Sequence, residues 1–280
     1  MRASVIISTY NSPLWLERVL VGYACQSVSD FEIIIADDGS TQETANLLSR
    51  IREDYKLVIN HVWHEDQGFQ KTRILNKAVI AAKSDYLIFT DGDCIPRQDF
   101  VETHLRHSEQ DYFLSGGHFP LSKELSHQIT LDDIKSRRCF DLNWLKAHGL
   151  SSNFKNIKLT KSSTLANLMN RITPTKPTWN GGNASAWKKD ILAVNGFDER
   201  MKYGGEDREF GERLINSGIQ PKRVRYFAII IHLEHERGYV NQAAWEKNNA
   251  IREETKSKKR IKTEFGLNLH ESEQIQLIDD

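Results

Sequence analysis

Apolar residues in the first hundred positions fall in short dense runs separated by amphipathic stretches. Residues 4–8, 32–36, 57–63 and 86–90 are apolar, and too short for helices, so they predict four strands. Ser12-Pro13 supplies an N-cap and a proline at the first helical position, after which Trp15, Val19, Leu20, Tyr23 and Ala24 fall on one helical face. Ser40 and Glu43 read as a capping box ahead of Ala45, Leu48 and Ile51. Residues 70–82 form a third amphipathic stretch with Ile74, Ala78 and Ala81 on one side. Strands alternating with helices of this length predict βαβ units and a mostly parallel sheet, an α/β fold.

Beyond residue 100 the rhythm weakens. Residues 112–120 predict a strand interrupted at Gly116-Gly117, and residues 121–178 are polar, mixed and partly helical, with Leu165 and Leu168 the clearest apolar pair. A helix is expected at 188–194. Another opens at Glu206-Asp207 and closes before Gly218, with Phe210 and Leu214 inward. Residues 223–232 predict a last strand, and a charged helical tail follows from residue 242.

Parallel sheets bind ligands beyond the carboxyl ends of their strands. Three of the four predicted strands leave polar residues there: Thr9-Tyr10-Asn11, Asp37-Asp38-Gly39-Ser40 and Asp91-Gly92-Asp93. Carboxylates as close as Asp91 and Asp93 repel and destabilise if buried unpaired. A cation belongs between them, and oxygen ligands at a strand end suit magnesium or manganese bridging to phosphates. Roughly one Asp-x-Asp is expected by chance in such a chain, so the position at a strand end gives this one its meaning.

These residues, with Ser8, Gly68, Arg73, Asn76 and Gly204-Gly205-Glu206-Asp207, resemble family 2 glycosyltransferases. The stretch from Trp179 to about Tyr239 resembles the C-terminal segment of galactosyltransferase-like enzymes and bacterial chondroitin-type polymerases. The resemblance implies a GT-A fold, a Rossmann-like central sheet flanked by helices with an abutting acceptor-side half. It divides one integrated domain into a nucleotide-sugar-binding half (1–115), an acceptor-binding and catalytic half (116–240) and a helical tail (241–280). It also implies that Thr9, Tyr10, Asn11, Asp38, Gly68, Lys71, Arg73, Asp91, Gly92, Gly182 and Asn183 bind the nucleotide sugar. Asp93 and His232 would hold Mn2+ or Mg2+, with His235 competing for the histidine position. Asp207 would be the catalytic base, while Glu206 and a stacking Trp179 hold the acceptor. The usual family wording at Arg73 is Ala-Arg-Asn, and here Thr72-Arg73-Ile74-Leu75-Asn76 departs from it. His61 and His64 read as loop residues. The activity implied is inverting, metal-dependent transfer from a UDP-sugar donor to a glycan or lipid-linked oligosaccharide acceptor, in surface polysaccharide or lipid-linked oligosaccharide synthesis.

Composition narrows the setting. Thirty-eight basic residues balance thirty-eight acidic ones over 280 positions, so charge gives no reason to expect a nucleic-acid partner. Three cysteines are too few and scattered for a disulfide framework or zinc knuckle. No apolar run nears 18 residues and no signal-peptide core precedes the first strand, so the expected location is cytoplasmic, with peripheral contact on the inner membrane face as an option. The basic run Lys256, Lys258, Lys259, Arg260 and Lys262 reads as a solvated face, with docking on anionic lipid or a phosphate-covering lid as alternatives. Two rival functions are weighed. A sugar-nucleotide nucleotidyltransferase would carry a glycine- and arginine-rich loop where Thr9-Tyr10-Asn11-Ser12-Pro13 stands, and a non-catalytic sugar-binding module would not need both Asp93 and Asp207.

Overall fold

The computed structural model describes residues 1–234 and 242–270. The first ninety residues run β1 (Ala3–Thr9), α1 (Pro13–Ala24), β2 (Phe31–Asp37), α2 (Gln42–Tyr55), β3 (Ile59–Trp63), α3 (Lys71–Ala81) and β4 (Tyr86–Asp91). Next come β5 (Cys94–Pro96), α4 (Phe100–His107), β6 (Tyr112–Ser115) and β7 (Gly117–Pro120). The segment without a readable motif folds into short helices, α5 (Lys123–Gln128), α6 (Leu131–Lys135), α7 (Leu142–Ala147) and α8 (Ser163–Ile172). The chain then continues through β8 (Ala184–Trp187), α9 (Lys188–Ala193), α10 (Glu206–Asn216), β9 (Gln220–Arg223), β10 (Ile229–His232) and α11 (Gln242–Ser257).

Seven strands form one sheet in the order β3-β2-β1-β4-β8-β6-β9, and β5-β10-β7 form a second. β1, β2, β3 and β4 are parallel, whereas β8 runs antiparallel between β4 and β6. The first two strands are buried along their whole length, because helices cover both faces, which is why they read as continuous apolar runs. Val5 and Ile7 pack with Leu16, Val19 and Leu20 of α1; Ile6 faces the other way, onto a layer with Ile74, Ala78 and Val79 of α3. Each such side chain contributes about 1.5–3 kcal/mol of transfer free energy. The register aligns the strand ends: Thr9 lies opposite Asp37, and Ser8 opposite Asp91.

Several expectations need correction. The capping box does not form. Thr41 is the N-cap of α2, and the Ser40 hydroxyl instead accepts the Asn11 amide at 2.8 Å while its own N–H donates to Asp37. The run 112–120 breaks at Gly116 into strands of two different sheets, and 223–232 likewise divides into β9 and β10. At the break only glycine fits, since a Cβ at Gly116 would stand 2.0 Å from Asn183 Oδ1. The basic run begins at the end of α11, where Lys256, Lys258 and Arg260 pair with Glu253 and Glu254. It lies beside Asn216, about 15 Å along α10 from Glu206. Among the described residues, no helix is long and apolar enough to cross a membrane.

Trp179 is a core residue, not an open stacking platform. It is 1% exposed and its ring meets Phe89, Phe113 and Phe210 at centroid distances of 5.3, 5.7 and 4.7 Å. Gly211 lets α10 approach, because a Cβ there would come within 2.6 Å of the Trp179 Cβ. Trp179→Ala is expected to cost about 3–5 kcal/mol of unfolding free energy in a urea titration, the range for emptying an aromatic core position. A loss well under 1 kcal/mol would contradict this packing.

Candidate active site

The aligned ends of β1, β2 and β4 open onto a cavity of about 810 Å³. Ser8, Thr9, Tyr10 and Asn11 contribute one wall, Asp38 and Gly68 another, and Asp91, Gly92 and Asp93 the floor. Lys71, His118, Gly182, Glu206, Asp207 and His232 complete the polar lining. The acids at 91, 93 and 207, nearly 120 positions apart in the chain, therefore face one space.

Two turns hold the nucleotide-side wall. Asn11 adopts a left-handed backbone at φ 44, its amide bonded to Ser40, and its side-chain oxygen accepts the Thr41 amide at 2.9 Å. Asp38 is bonded through both oxygens, to His64 Nε2 at 2.8 Å and to the Gln70 amide at 2.9 Å. Behind it, the buried Asp37 accepts from Ser40 N–H and lies 2.8 Å from His61 Nε2. Tyr10, 47% exposed at the rim, donates its hydroxyl to Asp66 at 2.8 Å. The two histidines read as loop residues are thus the partners that orient the adjacent Asp37 and Asp38. His61 lies on β3 itself. The signal was the strand pattern: β3 runs beside β2, and Asp37-Asp38 needs neighbours able to donate.

On the floor, Asp91 Oδ1 receives both the Ser8 hydroxyl and the Lys71 ammonium, each at 2.6 Å. Its Oδ2 faces Gly182, where a Cβ would come to 3.0 Å, so glycine keeps that oxygen reachable. Asp93 Oδ2 lies 3.4 Å from His232 Nε2 at the end of β10, and Asp93 Oδ1 accepts the Cys94 thiol at 3.1 Å. Asp91, Asp93 and Cys94 bring donor atoms within 4.8 Å of one another. Burial, reinforced by Asp93 and Asp91, pushes the Cys94 thiol well above the ordinary cysteine range, so it stays protonated and is a poor ligand. The remaining oxygens and the imidazole fit a hard divalent cation. His235 lies outside the described residues.

Opposite stand the acids of α10. Glu206 Oε2 accepts the Gly204 amide at 2.7 Å, and Asp207 Oδ2 accepts the Gly181 amide at 2.9 Å. Asp207 Oδ1 is shielded from solvent and accepts no hydrogen bond among the described residues. Burial raises the Asp207 carboxyl above the aspartate range; Lys71 draws it down, Asp91 pushes it up, and the Gly181 amide draws it down again. Glu206 is pushed up to about 7, first by burial and then by Asp207. Burial alone would lower the Lys71 ammonium, yet Asp91, Asp207 and Glu206 together hold it above the ordinary lysine value.

Two residues expected at the nucleotide sugar lie elsewhere. Asn183 is 0% exposed; its amide donates to the Gly117 and Ala228 carbonyls at 2.8 and 3.0 Å, with His104 Nε2 3.1 Å from its oxygen. Its amide is consumed in joining the two sheets. Arg73 does not line the cavity: one residue pair earlier on α3, Lys71 faces the acids instead. Asn76, matched to the family pattern, is a buried clamp on the Phe197 backbone. Sequence reading also missed His118, whose ring lies 5.7 Å from that of His232.

The chain belongs to glycosyl transferase family 2, whose model matches residues 4–164; a second model, the N-terminal domain of galactosyltransferase, matches residues 168–236. An uncharacterized glycosyltransferase, YfnE of Bacillus subtilis, is 26% identical over 84% of this chain and 65% of its own length. Chondroitin synthase of Escherichia coli is 28% identical over 77% of this chain and 32% of its own length. The chain thus spans 65% or less of the length of these relatives. Among solved structures, S. aureus TarS 1–349 in complex with UDP matches with a TM-score of 0.58 at 17% identity, covering 90% of this chain and 64% of that one. The mannosyltransferase PcManGT from Pyrobaculum calidifontis, in complex with GDP-Man and Mn2+, matches with a TM-score of 0.56 at 17% identity, covering 85% and 58%. The fold is GT-A.

If Asp93 anchors a cation, Asp93→Ala should weaken binding of manganese itself in calorimetric titration. Equal manganese affinity of variant and parent would remove Asp93 from the metal site.

Proposed function

We propose that this protein moves a sugar from a UDP-sugar to a hydroxyl of a glycan acceptor, with inversion at the anomeric carbon. The observation that supports this most is the convergence on one cavity of Asp91, Asp93 and His232 from the sheet ends with Glu206 and Asp207 from α10. Family membership, the UDP complex of TarS and the name of the chondroitin synthase relative favour the same reading.

In this reading Thr9, Tyr10, Asn11 and Gly68 line the nucleoside, and Asp38, pre-oriented by His64 and the Gln70 amide, accepts from the uracil ring. Asp93, His232 and Asp91 Oδ2 would hold Mn2+ or Mg2+, which when bound supplies positive charge to a departing diphosphate. Gly92 and Gly182 keep the backbone low beneath the donor; a Cβ at either would meet Thr9 or Asp91 within 3.2 Å. Lys71 places a second cation at the same face of the cavity. Asp207 takes the acceptor hydroxyl's proton as that hydroxyl attacks opposite the leaving group. Its raised pKa makes it a stronger base than a solvated aspartate. Glu206, pushed up to about 7 and so partly protonated near neutrality, can donate to an acceptor oxygen. An acceptor on a lipid-linked oligosaccharide would bring the protein to a membrane surface, in peripheral contact on its cytoplasmic side; a surface polysaccharide is the alternative acceptor.

Incubation with a panel of nucleotide sugars, manganese and a glycan acceptor should release UDP with one donor. Turnover with GDP-mannose and none of the UDP-sugars would overturn the donor assignment. Asp207→Asn should keep UDP binding and lose transfer by about 10²–10⁴-fold, the usual worth of a general base; an unimpaired rate would exclude it as base. Because the base must be ionised, transfer should fall as pH drops through the raised Asp207 pKa, so the acid limb of kcat/KM should lie above the ordinary aspartate range. A limb at or below that range would contradict the buried environment.

A further inference from the structure

Helix α11 lies beyond the residues that either family model matches, yet one of its faces is turned onto the loop that presents Glu206 and Asp207. Trp245, Asn248, Arg252 and Thr255 recur at helical spacing and form that stripe. The Trp245 indole lies against Gly204, where a Cβ would come within 2.6 Å of the ring. Arg252 lays its stem against Gly205 and pairs with Glu212 at 2.6 Å. The Thr255 hydroxyl donates to Glu209 at 2.8 Å, and Glu209 also holds the buried Arg213.

Asn248 is the centre of the stripe and is 0% exposed. Its amide nitrogen donates to the carbonyls of Lys202 and Gly204, each at 2.8 Å, and to that of Tyr203 at 3.4 Å. Its side-chain oxygen accepts the Lys202 amide at 3.3 Å. The loop it grips contains two consecutive glycines at φ +108 and +94, a sequence with little conformational preference of its own. The conformation must therefore be imposed from outside. The Gly204 residue is held at both ends, its N–H by Glu206 and its carbonyl by Asn248. Only a short side chain carrying both a donor and an acceptor can make this set, and aspartate would set carboxylate oxygens against three carbonyls.

From this geometry we infer that Asn248 is a positioning residue for the acid pair: it fixes the Gly204 backbone that orients Glu206 and launches the helix carrying Asp207. The inference rests on the reading of Asp207 as base. Steady-state kinetics, UDP titration and urea unfolding of the full chain test it. Asn248→Ala should lower kcat about 10- to 100-fold, the scale of a small misplacement of a reacting group, with donor KM and UDP affinity within about twofold of the parent. Asn248→Ser, which keeps one donor, should recover part of the rate and serves as the test variant if Asn248→Ala does not fold. On an Asp207→Asn background, Asn248→Ala should cost less than it does in the parent, because one of the two acids it positions is already gone. Parental kcat, a parallel fall in UDP affinity, or an undiminished loss on the Asp207→Asn background would each overturn the inference. A parental rate in Asp207→Asn would instead sink the base assignment itself.

Discussion

The ammonium of Lys71 lies 2.6 Å from Asp91 Oδ1 and is the positive charge that the cavity's acids share. Asp91, Asp207 and Glu206 all stabilise it, and it in turn draws the pKa of Asp207 and Glu206 down against the effect of burial. Without that charge, three carboxylates gathered at one partly buried place would repel one another strongly enough to disfavour the closed arrangement of α10 against the sheet. The lysine comes from the first turn of α3 and the acids from β4 and α10, so one charge cluster ties together segments more than a hundred residues apart. The packing of Ile74, Ala78 and Val79 beneath α3 fixes where that charge can be.

The parallel half of the fold was legible because its signals are local. Apolar runs, a proline at the first position of α1 and polar residues at strand ends are each decided within a few positions. Asp91 and Asp93 could be named because strand-end acids carry physical meaning before any contact is known, whereas Asp207 was named through the resemblance. What escaped depended on tertiary neighbours. Trp179 and Asn183 flank the Gly181-Gly182 turn that does reach the cavity, yet their own side chains turn back into the core. Sequence offers no sign of which way each points. Arg73 and Lys71, both expected at the nucleotide sugar, stand two positions apart on a helix, so only one of them can face the acids, and it is Lys71. His61 and His64 gain significance only once β3 is laid beside β2.

The antiparallel half was least legible for a related reason. β6 and β7 are contiguous in the chain but belong to separate sheets, and nothing in an apolar run marks a change of sheet. The glycine that permits it was visible, but the asparagine that requires it lies sixty-seven positions later. The Glu206-Asp207 turn shows the same dependence in the other direction: its paired glycines were apparent, while the helix that shapes them is the charged tail, whose sequence reads as surface.

Asn183 has a consequence for motion. Its amide bonds carbonyls of β7 and of the residue before β10, its backbone carbonyl receives the Gly116 amide, and a neutral His104, its pKa lowered to about 3 chiefly by burial, backs its oxygen. The two sheets are riveted at this point and cannot swing apart as a hinge. Opening of the cavity is therefore left to its rim, to loops such as those that carry Tyr10 and Asp66, while the seam beneath stays shut.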